Sequence, residues 1–240
     1  MSCTLFIAGD STAAIKGATE KPMTGWGEYL QDYFNPSVRI NNQAVNGRST
    51  KSFMAERRLE AIEKEMLAGD YLFIQFGHND GKLEDPLRYA DPSTEYQSNL
   101  EQFIESARRS NVTPVLLTSV SRRRFLEDGT LDPLAVGEYP DAMRQVAVST
   151  KTPLLDIFAA SQELYRALGV EGTRPLFMHL AEHAHPNYPN GIIDDTHFSD
   201  MGARKIAELV AQAIIQCDDL SKLQSYMKET AANELSGRGL

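Results

Sequence analysis

Five positions in this chain could together cleave an acyl ester. Ser11 follows the apolar run Thr4–Ala8 and the pair Gly9-Asp10. There a chain leaving a strand for a helix presents a hydroxyl beside its own backbone N–H. Asp194 stands three residues before His197 in Asp194-Asp195-Thr196-His197. In a turn entering a helix, that spacing lets the carboxylate reach the ring's Nδ1–H, fix the tautomer and leave Nε2 free as a base. Gly47 and Asn79 fit an oxyanion hole, which needs a backbone N–H on a residue without a side chain and a side-chain amide. Each position also has an ordinary reading: a helix N-cap for Ser11, a decorated loop and a helix cap for the Asp and His, plain turns for Gly47 and Asn79. The GxSxG elbow of α/β-hydrolases is absent.

A rival chemistry is metal hydrolysis. His179, His183 and His185, with Asp194 and Asp195 near in sequence, include an i, i+4 histidine pair. His-Leu-Ala-Glu-His is not the H-E-x-x-H pattern, however, and Pro186 would end any helix there. These histidines read as loop packing or cleft residues, and neither a metal nor another cofactor is expected.

The elements that must position these residues follow from five apolar runs: Thr4–Ala8, Val38–Val45, Tyr71–Phe76, Pro114–Val120 and Pro153–Ile157. Most are continuously apolar, the pattern of strands buried on both faces. Between them, Ser49–Ala68, Glu95–Arg109 and Ser199–Cys217 carry helical apolar stripes, and Thr94 with Gln97 suggests a capping box. Strands alternating with helices predict an α/β fold with a parallel sheet covered on both faces, whose active residues gather beyond the carboxyl ends of the strands. Those ends carry Gly9-Asp10-Ser11-Thr12, Asn46-Gly47-Arg48-Ser49, Gly77-His78-Asn79-Asp80 and Ser121-Arg122-Arg123-Arg124. Residues 169–196 read as a long irregular stretch, and Asp218–Leu240 as a short helix with a frayed tail.

The 240 residues are 42% hydrophobic and 24% charged, which suits a single soluble domain over the whole chain. A net charge of −9 disfavours nucleic acid and anionic membranes as partners. No apolar run approaches the roughly 18 residues of a membrane span. The Met1-Ser2-Cys3-Thr4 start lacks signal-peptide character, so a cytoplasmic location is expected. Cys3 and Cys217 are expected to be reduced thiols. Oligomeric state is not legible.

Individually weak, the motifs are strong in their order. Gly-Asp-Ser near the N-terminus, Gly47, Gly-His-Asn-Asp after the third strand and Asp-x-x-His near the C-terminus together resemble the four blocks of SGNH (GDSL-like) hydrolases, from Gly9 to His197. Block one reads Gly-Asp-Ser-Thr in place of the commoner Gly-Asp-Ser-Leu. Finer details resemble the rhamnogalacturonan acetylesterase branch: Thr24-Gly25-Trp26-Gly27, Asn46-Gly47-Arg48-Ser49, the Ser-Arg-Arg-Arg-Phe run at 121–125, and Asp-x-Thr-His-Phe-Ser at 194–199. The resemblance implies a three-layer α/β/α flavodoxin-like fold with a five-stranded parallel sheet. It implies a serine esterase with triad Ser11, Asp194 and His197 and an oxyanion hole of Ser11, Gly47 and Asn79. The implied substrate is an acetylated pectic oligosaccharide. The alternatives are an esterase of the same fold acting on acetylxylan, lipid or thioester, and a non-catalytic flavodoxin-like binding module. Candidate substrate-binding residues are Arg48, His78, Arg122, Arg123 and Arg124. The three consecutive arginines supply a positive patch, so at least one is expected to meet a uronate carboxylate.

Overall fold

Strands that are apolar on both sides need cover on both sides, and the computed structural model, which describes residues 2–229 and Leu235, supplies it. Strands β1 (Cys3–Gly9), β2 (Val38–Asn42), β3 (Tyr71–Gln75), β4 (Thr113–Leu117) and β5 (Leu154–Leu155) form one parallel sheet in the order β2-β1-β3-β4-β5. Alternate residues serve opposite layers. Leu5, Ile7, Phe73 and Val115 join one buried cluster. Phe6, Ala8, Leu72, Ile74 and Leu116 join the other.

Helices α1 (Thr50–Ala55), α2 (Arg58–Glu63), α3 (Glu95–Arg109) and α4 (Tyr139–Thr150) cover the second face, and α5 (Ile157–Thr173), α6 (Asp200–Gln216) and the short α7 (Ser221–Gln224) cover the first. The expected α/β/α layering with five parallel strands is therefore present. The α3 stripe of Tyr96, Leu100, Phe103, Ile104 and Ala107 is buried as its spacing required. Phe103 there packs against Phe53 and Phe76, with ring centroids 5.9 and 5.4 Å away. Ser199 caps α6 by accepting from the Gly202 N–H.

Several local expectations change. The stretch 49–68 is not one helix: Arg57 takes φ 60°, a left-handed conformation that separates α1 from α2. Thr94 makes no cap bond to α3; its hydroxyl turns back to Asp91. Regular strand β2 ends at Asn42, yet the chain keeps bonding to β1 through Gln43 N–H to Ile7 O and Val45 N–H to Gly9 O. That continuation carries Gly47 alongside Ser11. The stretch 169–196 is not irregular throughout. It contains the end of α5 and an antiparallel hairpin, β6 (Phe177–Leu180) and β7 (Ile192–Phe198). Cys3 and Cys217 are free thiols, and burial pushes both up in pKa. The frayed-tail expectation falls mostly on residues outside those described. Among the described residues no helix is long and apolar enough to cross a membrane.

Candidate active site

The strand order places the chain's reversal at β1: β2 lies on one side of it, and β3, β4 and β5 on the other. The crevice beyond the carboxyl ends of β1 and β3 is the switch point where ligands bind in open α/β sheets. Ser11 follows β1 and Asn79 follows β3.

The Ser11 turn is built from short local bonds. Asp10 is fully buried, and its Oδ1 accepts from the Thr12 N–H at 2.9 Å and the Thr12 hydroxyl at 2.7 Å. This closes an Asx-type turn around the serine. Thr24-Gly25-Trp26-Gly27 then clamps it. The Trp26 N–H donates to the Thr12 carbonyl at 2.9 Å, and the Trp26 ring N–H donates to Gln75 Oε1 at 3.2 Å. A Cβ on Gly25 would sit 2.1 Å from the Ala14 carbonyl oxygen, so only glycine allows this approach. In the same segment the Thr24 N–H donates to the Phe198 carbonyl at 3.0 Å. One segment thus fastens the serine turn to the strand that carries the histidine.

Asp194 and His197 lie on β7, not in a turn entering a helix as the spacing suggested. On a regular strand, residues three apart face opposite sides and could not meet. Here Phe198 pairs with Phe177 and Asp194 pairs with the next residue, Met178, so residues 195, 196 and 197 bulge out. The N–H groups of Thr196 and His197 donate to Asp194 Oδ1 at 2.8 and 3.0 Å, and His197 Nδ1 lies 2.7 Å from Asp194 Oδ2. His197 Nε2 is then 2.9 Å from Ser11 Oγ. Burial pushes the Asp194 carboxyl up, but the bonds from His197 and Thr196 and the His197 charge outweigh it and hold it down at about 2.

Asp195 anchors the bulge. Its Oδ1 bonds His179 Nε2 at 2.7 Å and Arg123 Nη1 at 3.0 Å, and Arg174 donates to the other His179 nitrogen. His179 therefore steadies the bulge, while His185 holds the hairpin tip by accepting from the Asn187 N–H. His183 takes φ 63° at that tip. Among the described residues, no group of three or more His, Cys, Asp or Glu side chains is placed to hold a metal ion.

Ser11, Gly47, His78, Asn79, Asp194 and His197 line one cavity of about 520 Å³. The Asn79 amide gives one N–H to the Arg48 carbonyl at 3.0 Å, which leaves its second N–H for a ligand. Gly47, at φ 75°, occupies a backbone region that favours glycine. Burial lowers the His78 imidazole to about 4, so it is neutral near pH 7 and accepts at Nδ1 from Arg122 Nε at 3.3 Å.

Of the five candidate substrate-binding residues, His78 and Arg122 line this cavity and Arg124 lines an adjoining one. Two are placed elsewhere. The Arg48 guanidinium is paired with Glu56 at 2.9 Å. Arg123 is held by Asp195, the Thr173 hydroxyl and the Val170 carbonyl. Both guanidinium groups already have carboxylate partners.

Sequence reading missed Lys16, Lys82 and Arg88, which also line the cavity. Lys82 follows Asn79 by three residues in the same loop, a signal that was available. Lys16 had none. It is buried, its Nζ donates to the Ser11 carbonyl at 2.6 Å and to Asn46, and burial lowers its pKa.

Asp80 follows Asn79 directly in the loop after β3. It is fully buried, accepts from the Thr50 N–H and hydroxyl at Oδ1, and has no partner at Oδ2 among the described residues. Burial raises its pKa from 3.8 to about 7. The folded protein therefore holds a proton that the unfolded chain releases near 3.8, and stability falls as pH rises through that window. Asp80→Asn keeps the Thr50 acceptor and removes the titration. The variant should gain in melting temperature relative to wild type as pH rises from about 4 to about 7. Parallel melting profiles for the two proteins over that range would refute the assignment.

Three comparisons place this architecture. A model of the GDSL-like lipase/acylhydrolase family matches residues 7–205. The chain is 44% identical over 210 residues to the rhamnogalacturonan acetylesterase RhgT of Bacillus subtilis (strain 168), covering 88% of each chain. It is 35% identical over 228 residues to the probable rhamnogalacturonan acetylesterase YesY of the same organism, covering 94% of this chain and 98% of that one. Among solved structures, a Bacillus subtilis protein, YXIM, superposes with a TM-score of 0.76 at 23% identity, covering 90% of this chain and 57% of that one. An acetylxylan esterase from Geobacillus stearothermophilus superposes with a TM-score of 0.61 at 18% identity, covering 89% and 92%. These two likenesses speak to the fold; the sequence matches carry the kinship. On those matches the chain is an ester hydrolase and belongs to the GDSL-like lipase/acylhydrolase family.

Proposed function

We propose that the protein removes acetyl groups from rhamnogalacturonan oligosaccharides by two-step acyl transfer through Ser11. The observation that carries this reading is the bonded chain from Ser11 Oγ to His197 Nε2 at 2.9 Å and from His197 Nδ1 to Asp194 Oδ2 at 2.7 Å. The substrate rests on the two relatives that share 44% and 35% identity and bear that activity in their names.

Ser11 Oγ attacks the acetyl carbonyl while His197 Nε2 takes its proton, and Asp194 stabilises the resulting imidazolium. The Ser11 and Gly47 N–H groups and the Asn79 amide receive the tetrahedral oxyanion; such donors contribute on the order of 3 kcal/mol each. The C–O bond to the sugar breaks as His197 returns the proton to the departing sugar oxygen. Water, deprotonated by the same imidazole, then attacks the acetyl-serine and releases acetate, restoring Ser11 Oγ–H.

The test is acetate release from acetylated rhamnogalacturonan fragments set beside acetylated xylan, with and without exhaustive EDTA. Faster release from the former, undiminished by chelation, is expected because the nucleophile and base are protein groups. Preference for xylan would move the substrate. Loss on chelation, restored by zinc or manganese, would sink the serine mechanism.

A further inference from the structure

The three consecutive arginines after β4 part ways. Arg123 gives its guanidinium to Asp195 at 3.0 Å, and Arg124 gives its own to Asp132 at 3.0 Å. Arg122 has no carboxylate partner among the described residues; its Nε donates to a neutral ring nitrogen of His78. It is half-buried, and although it feels Asp10 and Asp194 through space, it bonds to neither. A guanidinium withdrawn from water without a counter-ion bears an uncompensated desolvation cost, which an incoming anion would relieve.

Arg122 also marks a junction. It lines the cavity over Ser11 and a second cavity of about 380 Å³ beside it, and Lys82 and His78 are the other residues common to both. Lys82 is partly exposed and has no ion pair among the described residues. Of the remaining charged groups in the two walls, Lys16 is spent on the Ser11 carbonyl, Arg88 on Asp85 and Arg124 on Asp132. Glu20 is held by the Asn46 amide and the Gly17 N–H, Asp194 by His197, and Glu84 lines the second cavity but not the one over Ser11. Arg122 and Lys82 thus stand together where the two cavities meet, without a carboxylate partner among the described residues, on a chain whose net charge is −9. The net negative charge of the chain otherwise disfavours an acidic ligand.

We propose that Arg122 and Lys82 bind the carboxylate of a uronate residue of the acetylated oligosaccharide, with that residue seated in the second cavity. The guanidinium engages the carboxylate through its Nη edge, and Lys82 adds a point charge on a flexible stem. The inference rests on the reading of this site as a saccharide acetylesterase and adds what selects the acidic substrate. Within the arginine run only Arg122 takes part, with Lys82 from the neighbouring loop.

An unacetylated oligogalacturonide is the probe, used as an inhibitor of small neutral acetyl ester hydrolysis beside its fully methyl-esterified form. The free acid should inhibit wild type competitively and more tightly than the ester by about tenfold or more. That preference should shrink as salt rises. In Arg122→Gln, and separately in Lys82→Gln, the ester-to-acid ratio of inhibition constants should fall toward one. Because the ratio is taken within each variant, a general loss of activity cannot imitate the result. Lys82→Gln keeps the test open if Arg122→Gln does not fold. No inhibition, equal inhibition of wild type by acid and ester, or an undiminished ratio in the variants would overturn the proposal. If acetate is still released from acetylated fragments in that case, the esterase reading stands and only the carboxylate site falls. If neither fragments nor small esters are cleaved, the esterase reading itself has failed.

Discussion

Ser11→Ala should abolish acetate release while leaving the melting temperature within a degree or two of wild type, as roughly expected for a change worth a few tenths of a kcal/mol. The Ser11 side chain bonds His197 Nε2, and the turn around it is held by Asp10, Thr12 and Trp26. Removing one hydroxyl therefore leaves the scaffold intact. The rate loss should be on the order of a thousandfold or more, since the remaining groups then act on water without an activated nucleophile. A fluorophosphonate should label wild type and not the variant. If Ser11→Ala keeps a tenth of the wild-type rate, another group is the nucleophile.

Asp194→Asn should lower kcat by about ten-thousandfold, for a reason of tautomers. The carboxylate accepts from the His197 Nδ1–H at Oδ2 while Oδ1 takes the N–H groups of Thr196 and His197. With Oδ1 still committed to those N–H groups, the asparagine presents its NH₂ to Nδ1. The ring must then carry its proton on Nε2, facing Ser11 Oγ, where it can no longer accept one. With the native carboxyl held down at about 2, Asp194 stays ionised across the working range, so no acid limb above about pH 3 belongs to it. A variant within tenfold of wild type, with an unchanged melting temperature, would show that Asp194 is not what orients the base.

The two predictions differ in how far their residues could be read in advance. Ser11, Gly47 and Asn79 follow three successive strands, and a parallel sheet brings such positions to one edge whatever the details of packing. Asp194 and His197 were legible as a pair, but the mechanism of their meeting was not. A spacing of three belongs to a helix or turn, whereas here a three-residue bulge on β7 folds the carboxylate back onto the ring. A bulge is set by the partner strand, which lies about 16 residues earlier, and by Arg123 and His179 holding Asp195 from outside.

What the chain determined by itself was everything that depends on periodicity and local bonding. Continuous apolar runs required a sheet buried on both faces, the α3 stripe required a helix of that length, and Ser199 marked where α6 begins. What only the tertiary structure decided was which charged side chains remain free. Arg48, Arg122, Arg123 and Arg124 are identical in type and all flank the site in sequence. Glu56, Asp195 and Asp132 neutralise three of them, and Arg122 is left against a neutral His78. An ion pair forms between residues brought within about 4 Å, and its partner's distance in sequence is unconstrained. Local pattern therefore carries no record of which arginine gains a carboxylate partner and which does not.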